Sequence, residues 1–375
     1  MRWTRKLTAS NHHTQKAHQV SRASHLPHIG QLPSGARNAI SDVAGVSVGH
    51  CTLADGPVQT GVTVVFPHTG NLFAERVPAA SVVLNGFGKS VGLVQVEELG
   101  LLETPIALTN TFSVATVVQA QIRQCIAANP ETGRSLPTVN PLVFECNDGY
   151  LNDIQQLAIT EQHYQQACAA AQADVAQGSV GAGRGMSSFG LKGGIGTASR
   201  CCAGYTVGTL VLANYGQLRQ LILAGEALGA HLAERLSQTE EPEKGSIILL
   251  VATDAPLDAR QLRRLALRAG VGLARTGSVF GHGSGDIALA FSTAYTVPQD
   301  PLQPMPAVSM LHDANLDDLF QAVADSTEQA IVNALWYACS VTGRDGHQRY
   351  ALADLLPTPH LPSLHTHKHE NPDLH

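Results

Sequence analysis

Glu241-Pro242-Glu243-Lys244-Gly245-Ser246 runs without a break into Ile247-Ile248-Leu249-Leu250-Val251. A charged, proline-containing stretch ends in Gly-Ser, and the serine opens a fully apolar strand. A chain that cuts itself to expose a new N-terminal nucleophile needs this arrangement. Glycine before the cut has no Cβ, so it tolerates strained dihedrals and lets a hydroxyl approach its carbonyl. Serine after the cut supplies that hydroxyl, and the buried strand holds the new terminus still. A freed Ser246 carries a hydroxyl and an α-amine. An α-amine titrates near ~8 and serves as a general base at neutral pH. The same residues also read as a surface linker entering a core strand, and both readings stand at this level.

The chain has 375 residues, of which 44% are apolar and only 14% charged. That length and low charge suit one large α/β unit with an extensive interior. The formal net charge is -6, and no basic stripe is interleaved with aromatics, so nucleic-acid binding is not expected. No apolar run reaches membrane-spanning length. The basic N-terminus (Arg2, Arg5, Lys6) lacks the apolar run of a signal peptide. Cysteines at 51, 125, 146, 168, 201, 202 and 339 are odd in number and form no CxxC. They read as reduced thiols, and the expected compartment is the cytoplasm. Histidines cluster before residue 29 and after residue 359, as in His365-Thr366-His367-Lys368-His369. No Cys or carboxylate framework fixes a metal geometry there, so no metal site is assigned. The ends read as flexible tails over 1–35 and 357–375, flanking one domain over 36–356.

Within that domain, β-branched runs over 43–48 and 62–66 read as strands, with shorter ones over 81–84, 106–108 and 142–144. Helical spacing predicts a helix over 153–177 ending at Gly178, and another over 218–236. Strands are expected over 206–212, 247–252 and 287–291. Asp258 caps a helix expected to stop at Gly270, and a long helix starts at Leu316 and ends near Gly343. Strands come in blocks between helices, which favours a layered α+β sandwich over a doubly wound sheet.

Four segments can carry chemistry. The glycine-rich stretch from Gly178 to Gly196 includes Gly181-Ala182-Gly183, yet it follows a helix, and no acidic residue ends a second strand beyond it. It therefore reads as a loop where backbones pass closely rather than as a dinucleotide site. Glu145-Cys146-Asn147-Asp148-Gly149-Tyr150-Leu151-Asn152-Asp153 follows a strand. It serves either as an ordinary turn or as a loop offering acids to an amine and a Tyr hydroxyl to an oxyanion. Ala213-Asn214-Tyr215-Gly216 is a polar turn that can aim an amide at a reacting carbonyl. In Gly281-His282-Gly283-Ser284-Gly285-Asp286, Ser284 and Asp286 share a face of an extended chain, where they can orient an α-amine. A Ser/His triad through His282 with Asp254 or Asp286 is the competing reading, but nothing in the sequence places a His beside Ser246.

Together these segments resemble the DmpA-type family of self-processing aminopeptidases, which includes L-aminopeptidase/D-Ala-esterase and the β-peptidyl aminopeptidases. The match is carried by Asn38-Ala39-Ile40-Ser41-Asp42-Val43-Ala44-Gly45-Val46-Ser47-Val48-Gly49-His50 and by Asn147-Asp148-Gly149-Tyr150-Leu151-Asn152-Asp153. It continues in the glycine block ending Gly193-Gly194-Ile195-Gly196-Thr197. The last block is Gly245-Ser246-Ile247-Ile248 with Ser284-Gly285-Asp286 and Ala290-Phe291-Ser292-Thr293. The order of the four blocks selects the nucleophile reading of Ser246.

The resemblance implies an α+β fold, a four-layer αββα sandwich similar to N-terminal nucleophile (Ntn) hydrolases and shared with ornithine acetyltransferases. It implies cleavage between Gly245 and Ser246, no metal or organic cofactor, and a homotetramer of αβ units. The substrates implied are short peptides, amides or esters. Carried over, Ser246 is the nucleophile, and Ser284 and Asp286 orient its amine. Tyr150 and Asn214 stabilise the oxyanion, and Glu145 grips the substrate's positive N-terminus. Relatives often carry Glu where this chain has the shorter Asp286. Two other functions fit parts of the pattern: an acyltransferase of the ornithine acetyltransferase type, which usually presents Thr at the cut, and an uncleaved scaffold.

Overall fold

The structure is a computed structural model and describes residues 26–236 and 245–356. Of the expected tails, residues 1–25 and 357–375 lie outside the described residues, as does the linker 241–244. The packed unit spans Ile29–Leu355. It begins ahead of residue 36 because Ile29 is buried and held at both polar atoms. Its N–H donates to Gln329 Oε1 at 2.9 Å, and its carbonyl accepts from the Arg200 guanidinium at 2.6 and 3.1 Å.

The strands are β1 (Ser47–Asp55), β2 (Val58–Phe66), β3 (Glu75–Gly86), β4 (Leu101–Leu102), β5 (Ile106–Asn110), β6 (Leu142–Cys146) and β7 (Ser187–Ser188). They continue with β8 (Leu191–Lys192), β9 (Gly194–Cys202), β10 (Tyr205–Asn214), β11 (Ser246–Thr253), β12 (Gly285–Ser292) and β13 (Val297–Pro298). The main helices are α1 (Leu93–Leu99), α2 (Val114–Ala128), α3 (Glu161–Ala169), α4 (Leu228–Leu236), α5 (Ala259–Arg275) and α6 (Asp317–Trp336).

One sheet has the order β1-β2-β5-β6, and the other β13-β3-β12-β11-β10-β9 with β4 attached to β3. Inward residues of the two sheets meet in one core. Val48, Val65, Leu108 and Phe144 face Leu210, Leu212, Ile248, Leu250 and Leu289. Alternation sends Val62, Val64, Ala107 and Val143 to the opposite face, where they pack on Val117 and Ala120 of α2 and Tyr164 and Ala167 of α3. Helices α5 and α6 cover the outer face of the larger sheet. The layers therefore run helix, sheet, sheet, helix, which is the expected αββα sandwich. Strand β11 lies in the middle of the larger sheet with all eight residues buried, as a two-sided apolar run requires.

Several local expectations give way to tertiary structure. The run 43–48 is not one strand, because a 3-10 turn at Ile40–Asp42 delays β1 to Ser47. The expected helix 153–177 shrinks to α3, since Leu157 takes a left-handed conformation (φ 50°) and Gln172 leaves to pair with Val48. The expected helix 218–236 is split by Ala224 and Gly225, both at positive φ, leaving a 3-10 turn at Leu218–Gln220 and α4. Asp258 does cap α5, accepting from Gln261 N at 2.7 Å, but the helix runs through Gly270 to Arg275 where it packs closely on α6. The long helix stops at Trp336. Strand β9 arises from the glycine-rich stretch read as a loop. Among the described residues, no helix is long and apolar enough to cross a membrane.

Gly196 shows why a glycine-rich stretch can be a buried strand. A Cβ there would lie 1.9 Å from Ala330 O and 2.6 Å from Ala334 N of α6. Overpacking of this kind costs about 1–3 kcal/mol. Gly196→Ala should lower the urea midpoint by a corresponding amount, and an unchanged midpoint would mean that α6 does not lie on β9 as described.

Candidate active site

Ser246 is the first residue of β11, between Asn214 at the end of antiparallel β10 and Gly285 at the start of parallel β12. The Gly285 N–H donates to Ser246 Oγ at 3.1 Å, which fixes the hydroxyl while leaving its own proton to be given away. Gly245 lies directly before it. A Cβ at Gly245 would sit 2.0 Å from Asn214 O and 2.7 Å from Tyr215 Cα, so only glycine fits this peptide against the neighbouring strand.

Ser284 and Asp286 flank Gly285 and are fully buried. Ser284 Oγ donates to Asp286 Oδ1 at 2.6 Å, as two side chains on one strand face can. Asn85 on β3 ties this segment down, donating to the Gly281 carbonyl at 2.8 Å and to that of Ser284. The competing triad is not assembled. Asp254 follows the far end of β11, where it accepts from Thr206 N, and His282 has its ring against Phe87.

Asn214 is held at both ends of its amide. Oδ1 accepts from Ser187 N at 2.8 Å, and Nδ2 donates to Asn147 O at 3.0 Å. One Nδ2 hydrogen remains for a reacting carbonyl. The bond to Asn147 brings in the loop after β6, which carries Tyr150. That ring stacks on His347 (centroids 4.6 Å apart, 14° between planes) and lies under the Arg349 guanidinium at 3.6 Å. Arg344 Nε donates to the Gly149 carbonyl at 2.7 Å, locking the loop from the C-terminal side. Tyr150 therefore shares the loop bound to Asn214, with its ring held by His347 and Arg349 rather than by Ser246.

Glu145 is buried on β6. Its Oε1 accepts from Lys89 N at 2.8 Å, and Oε2 accepts from the Thr111 hydroxyl. A carboxylate has about four lone-pair sites, so two are still open to an ammonium. Lys89 and Thr111 also line an apolar groove of about 660 Å³ with Val91, Phe112, Val118 and Leu157.

Three residues here had no role in the sequence reading. Cys146 Sγ donates to the Ser246 carbonyl at 3.4 Å and to the Leu212 carbonyl at 3.7 Å, pinning the smaller sheet beneath Ser246. Complete burial pushes this thiol well above the usual range, so it acts as a neutral donor. Ser187 and Lys192 belong to the hairpin β7–β8 that orients Asn214. A lone lysine among glycines and apolar residues was the available signal for that hairpin. The segment Gly181–Gly183 is a buried 3-10 turn packed against Thr63 and His50, with no room for a dinucleotide.

Comparison with known proteins is consistent with this geometry. The family model of peptidase family S58 matches residues 38–349. The β-peptidyl aminopeptidase BapA of Sphingosinicella xenopeptidilytica is 37% identical over 344 residues, covering 85% of each chain. BapA of Sphingosinicella microcystinivorans is 40% identical, covering 86% of this chain and 87% of its own. Among solved structures, the L-aminopeptidase D-Ala-esterase/amidase of Ochrobactrum anthropi, a serine aminopeptidase with a variant of the Ntn hydrolase fold, superposes with a TM-score of 0.82. It is 35% identical, with 88% of this chain and 95% of that chain covered. A β-aminopeptidase of Burkholderia sp. superposes with a TM-score of 0.80 at 43% identity, covering 86% and 93%.

Asp148, in the loop that holds Asn214, is fully buried and accepts from Asn152 Nδ2 at 3.0 Å. Burial pushes its carboxyl up to about 7, against opposing hydrogen bonds from Thr60 and Asn152 and the Lys192 charge. Between pH ~4 and ~7 the folded chain keeps a proton that the unfolded chain has lost, so this group's contribution to stability falls as pH rises through that window. The loss amounts to roughly 4 kcal/mol over about three pH units. Asp148→Asn has no carboxyl to titrate. Measured by urea unfolding in a Ser246→Ala background, the variant should gain on its parent from pH ~4 to ~7 and hold a constant difference above. A pH-independent difference would show that Asp148 titrates normally.

Proposed function

The chain belongs to peptidase family S58 and is an aminopeptidase, a hydrolase of peptide bonds, and we propose that it makes its own nucleophile by cutting Gly245–Ser246. The observation that carries this reading is the packing of Gly245 against β10 with Ser246 Oγ already gripped by Gly285 N–H. Ser246 Oγ adds to the Gly245 carbonyl, and the peptide nitrogen leaves as the acyl group moves to oxygen. Water then hydrolyses that ester, giving a Gly245 carboxylate and a Ser246 with free hydroxyl and amine. Both chains stay together because β11, the first strand of the new chain, remains paired with β10 of the old one.

In turnover, the α-amine of Ser246 takes the proton from its own Oγ, which attacks the carbonyl of the substrate's N-terminal residue. Ser284 and Asp286 orient the amine: Ser284 gives its proton to Asp286 and so presents lone pairs to the ammonium. The remaining Nδ2 hydrogen of Asn214 and the Tyr150 hydroxyl stabilise the oxyanion, and Glu145 grips the substrate's ammonium. The leaving amine takes the proton back from the α-ammonium, and water releases the acyl group. Esters and amides react by the same steps. The names of the two BapA relatives support N-terminal β-amino residues among the substrates. Seven unpaired thiols support a reducing, cytoplasmic setting, and the αβ units are proposed to assemble as tetramers.

Intact mass under denaturing conditions tests the cut. The parent should give two fragments meeting between Gly245 and Ser246, and Ser246→Ala one full-length chain. A full-length parent would remove the catalytic amine and overturn the reading.

Loss of one oxyanion donor typically costs about 2.7–4 kcal/mol of barrier, or roughly 100-fold or more in kcat. Tyr150→Phe should show such a loss with the fold retained. Activity within a few-fold of the parent would take Tyr150 out of the oxyanion site.

A further inference from the structure

Lys192 is a fully buried lysine, and among the described residues no carboxylate lies within ion-pair distance of it. Its Nζ instead donates to three main-chain carbonyls: Gly183 at 2.9 Å, Met186 at 2.8 Å and Gly193 at 2.8 Å. Three acceptors match the three hydrogens of an ammonium, whereas a neutral amine has only two. Burial and the Arg184 charge pull its pKa well below that of a free lysine, with Cys339 and Asp148 opposing. A buried unpaired cation is costly, and an apolar side chain of similar volume would serve a purely structural site better.

What the ammonium holds is the hairpin β7–β8. Gly183 and Met186 precede the hairpin and Gly193 follows it, so Nζ ties entry to exit. Its turn includes Phe189 at φ 54°, a strained conformation for a bulky residue. Phe189 is held by its N–H to the Tyr215 carbonyl at 2.7 Å and by an edge-on contact with the Tyr215 ring at 4.9 Å. Ser188 Oγ donates to the same carbonyl at 2.9 Å. The hairpin thereby presents the Ser187 N–H to Asn214 Oδ1. That donor, together with the Asn147 carbonyl that accepts from Nδ2 at 3.0 Å, decides which end of the Asn214 amide faces the hairpin and leaves Nδ2 as the end facing the site.

We propose that Lys192 is a positioning residue that sets the orientation of the Asn214 amide through the β7–β8 hairpin. The inference rests on the reading of Asn214 as an oxyanion donor. Without the ammonium, the Gly183 and Met186 carbonyls keep only backbone donors, from Met186 N–H at 3.3 Å and Gly193 N–H at 3.0 Å, and the Gly193 carbonyl loses its bond to Lys192, so the hairpin relaxes and Ser187 N–H no longer reinforces one amide orientation. Substrate binding through Glu145 is untouched, so the effect falls on kcat and not on KM.

The test is a double-mutant cycle on the processed enzyme, with Lys192→Met, Asn214→Ala and their combination, assayed on a short dipeptide. Lys192→Met should cut kcat by about 10-fold or more with KM within about 3-fold, as expected for an interaction made in the transition state. Added to Asn214→Ala it should cost little more, because both changes remove one amide's contribution. Lys192→Gln, which keeps two N–H donors, replaces the Met variant in the same cycle if that variant fails to fold, and is judged by the same criteria. A kcat within 2-fold of the parent, or a full multiplicative loss in the double variant, overturns the role of Lys192 while leaving Asn214 in place. If Asn214→Ala alone keeps near-parent kcat, the oxyanion reading of Asn214 fails and this inference fails with it.

Discussion

The hydrogen bond from Gly285 N–H to Ser246 Oγ exists only because β11 is held in register on both sides, antiparallel to β10 and parallel to β12. Side chains alternate along a strand, so a slip of one residue would send the serine to the opposite face. The fold prevents such a slip. Every residue of β11 is buried, Ile248 and Leu250 face the core between the sheets, and α5 and α6 close the other side. The position of Ser246 is thus a property of the packed sandwich and not of a loop.

The second sheet has an equally direct part. Cys146, at the end of β6, reaches across and bonds the Ser246 carbonyl, while Glu145 beside it on the same strand faces the other way, toward Lys89 and Thr111. Two consecutive residues of one strand thus serve opposite faces. The loop that follows reaches Asn214 through the Asn147 carbonyl. Strand ends from both sheets converge on one peptide, which explains why the residues concerned are spread from 145 to 286.

Much of this was legible in the sequence. The apolar run after Ser246, the paired Ser284 and Asp286, and the cap at Asp258 are local patterns whose physics is local, and each appears as read. The layered α+β class followed from the blocks of strands. What escaped was governed by contacts distant in sequence. Gly196 and Gly270 look like breakers on their own, yet Gly196 sits where α6 passes too close for a side chain and Gly270 faces the Leu84 side chain of β3 at 3.3 Å. Ala224 and Leu157 carry no turn signature of their own, yet both take positive φ. Lys192 drew no role because the hairpin that closes around it is held by Tyr215, distant in sequence.

Polar groups are buried in several parts of this fold, with Arg200, Thr253 and Ser292 at zero exposure away from the start of β11. Ser284, Asp286, Asp148 and Lys192 are all at zero exposure, and all lie at or near the end of the sheets where β11 begins. Each such group carries a desolvation cost that the apolar core must offset. Stability alone gives no reason to bury these four here, because apolar substitutes of similar volume would hold the same backbone at less cost. Pre-orientation does give a reason. A cut before β11 removes no strand from the sheet and adds a charged terminus at the position where these groups converge. Dipoles and charges already fixed there need not reorganise when charge develops on a carbonyl, and that saving grows as water is excluded. The same burial that makes this end of the fold costly is what holds its geometry fixed.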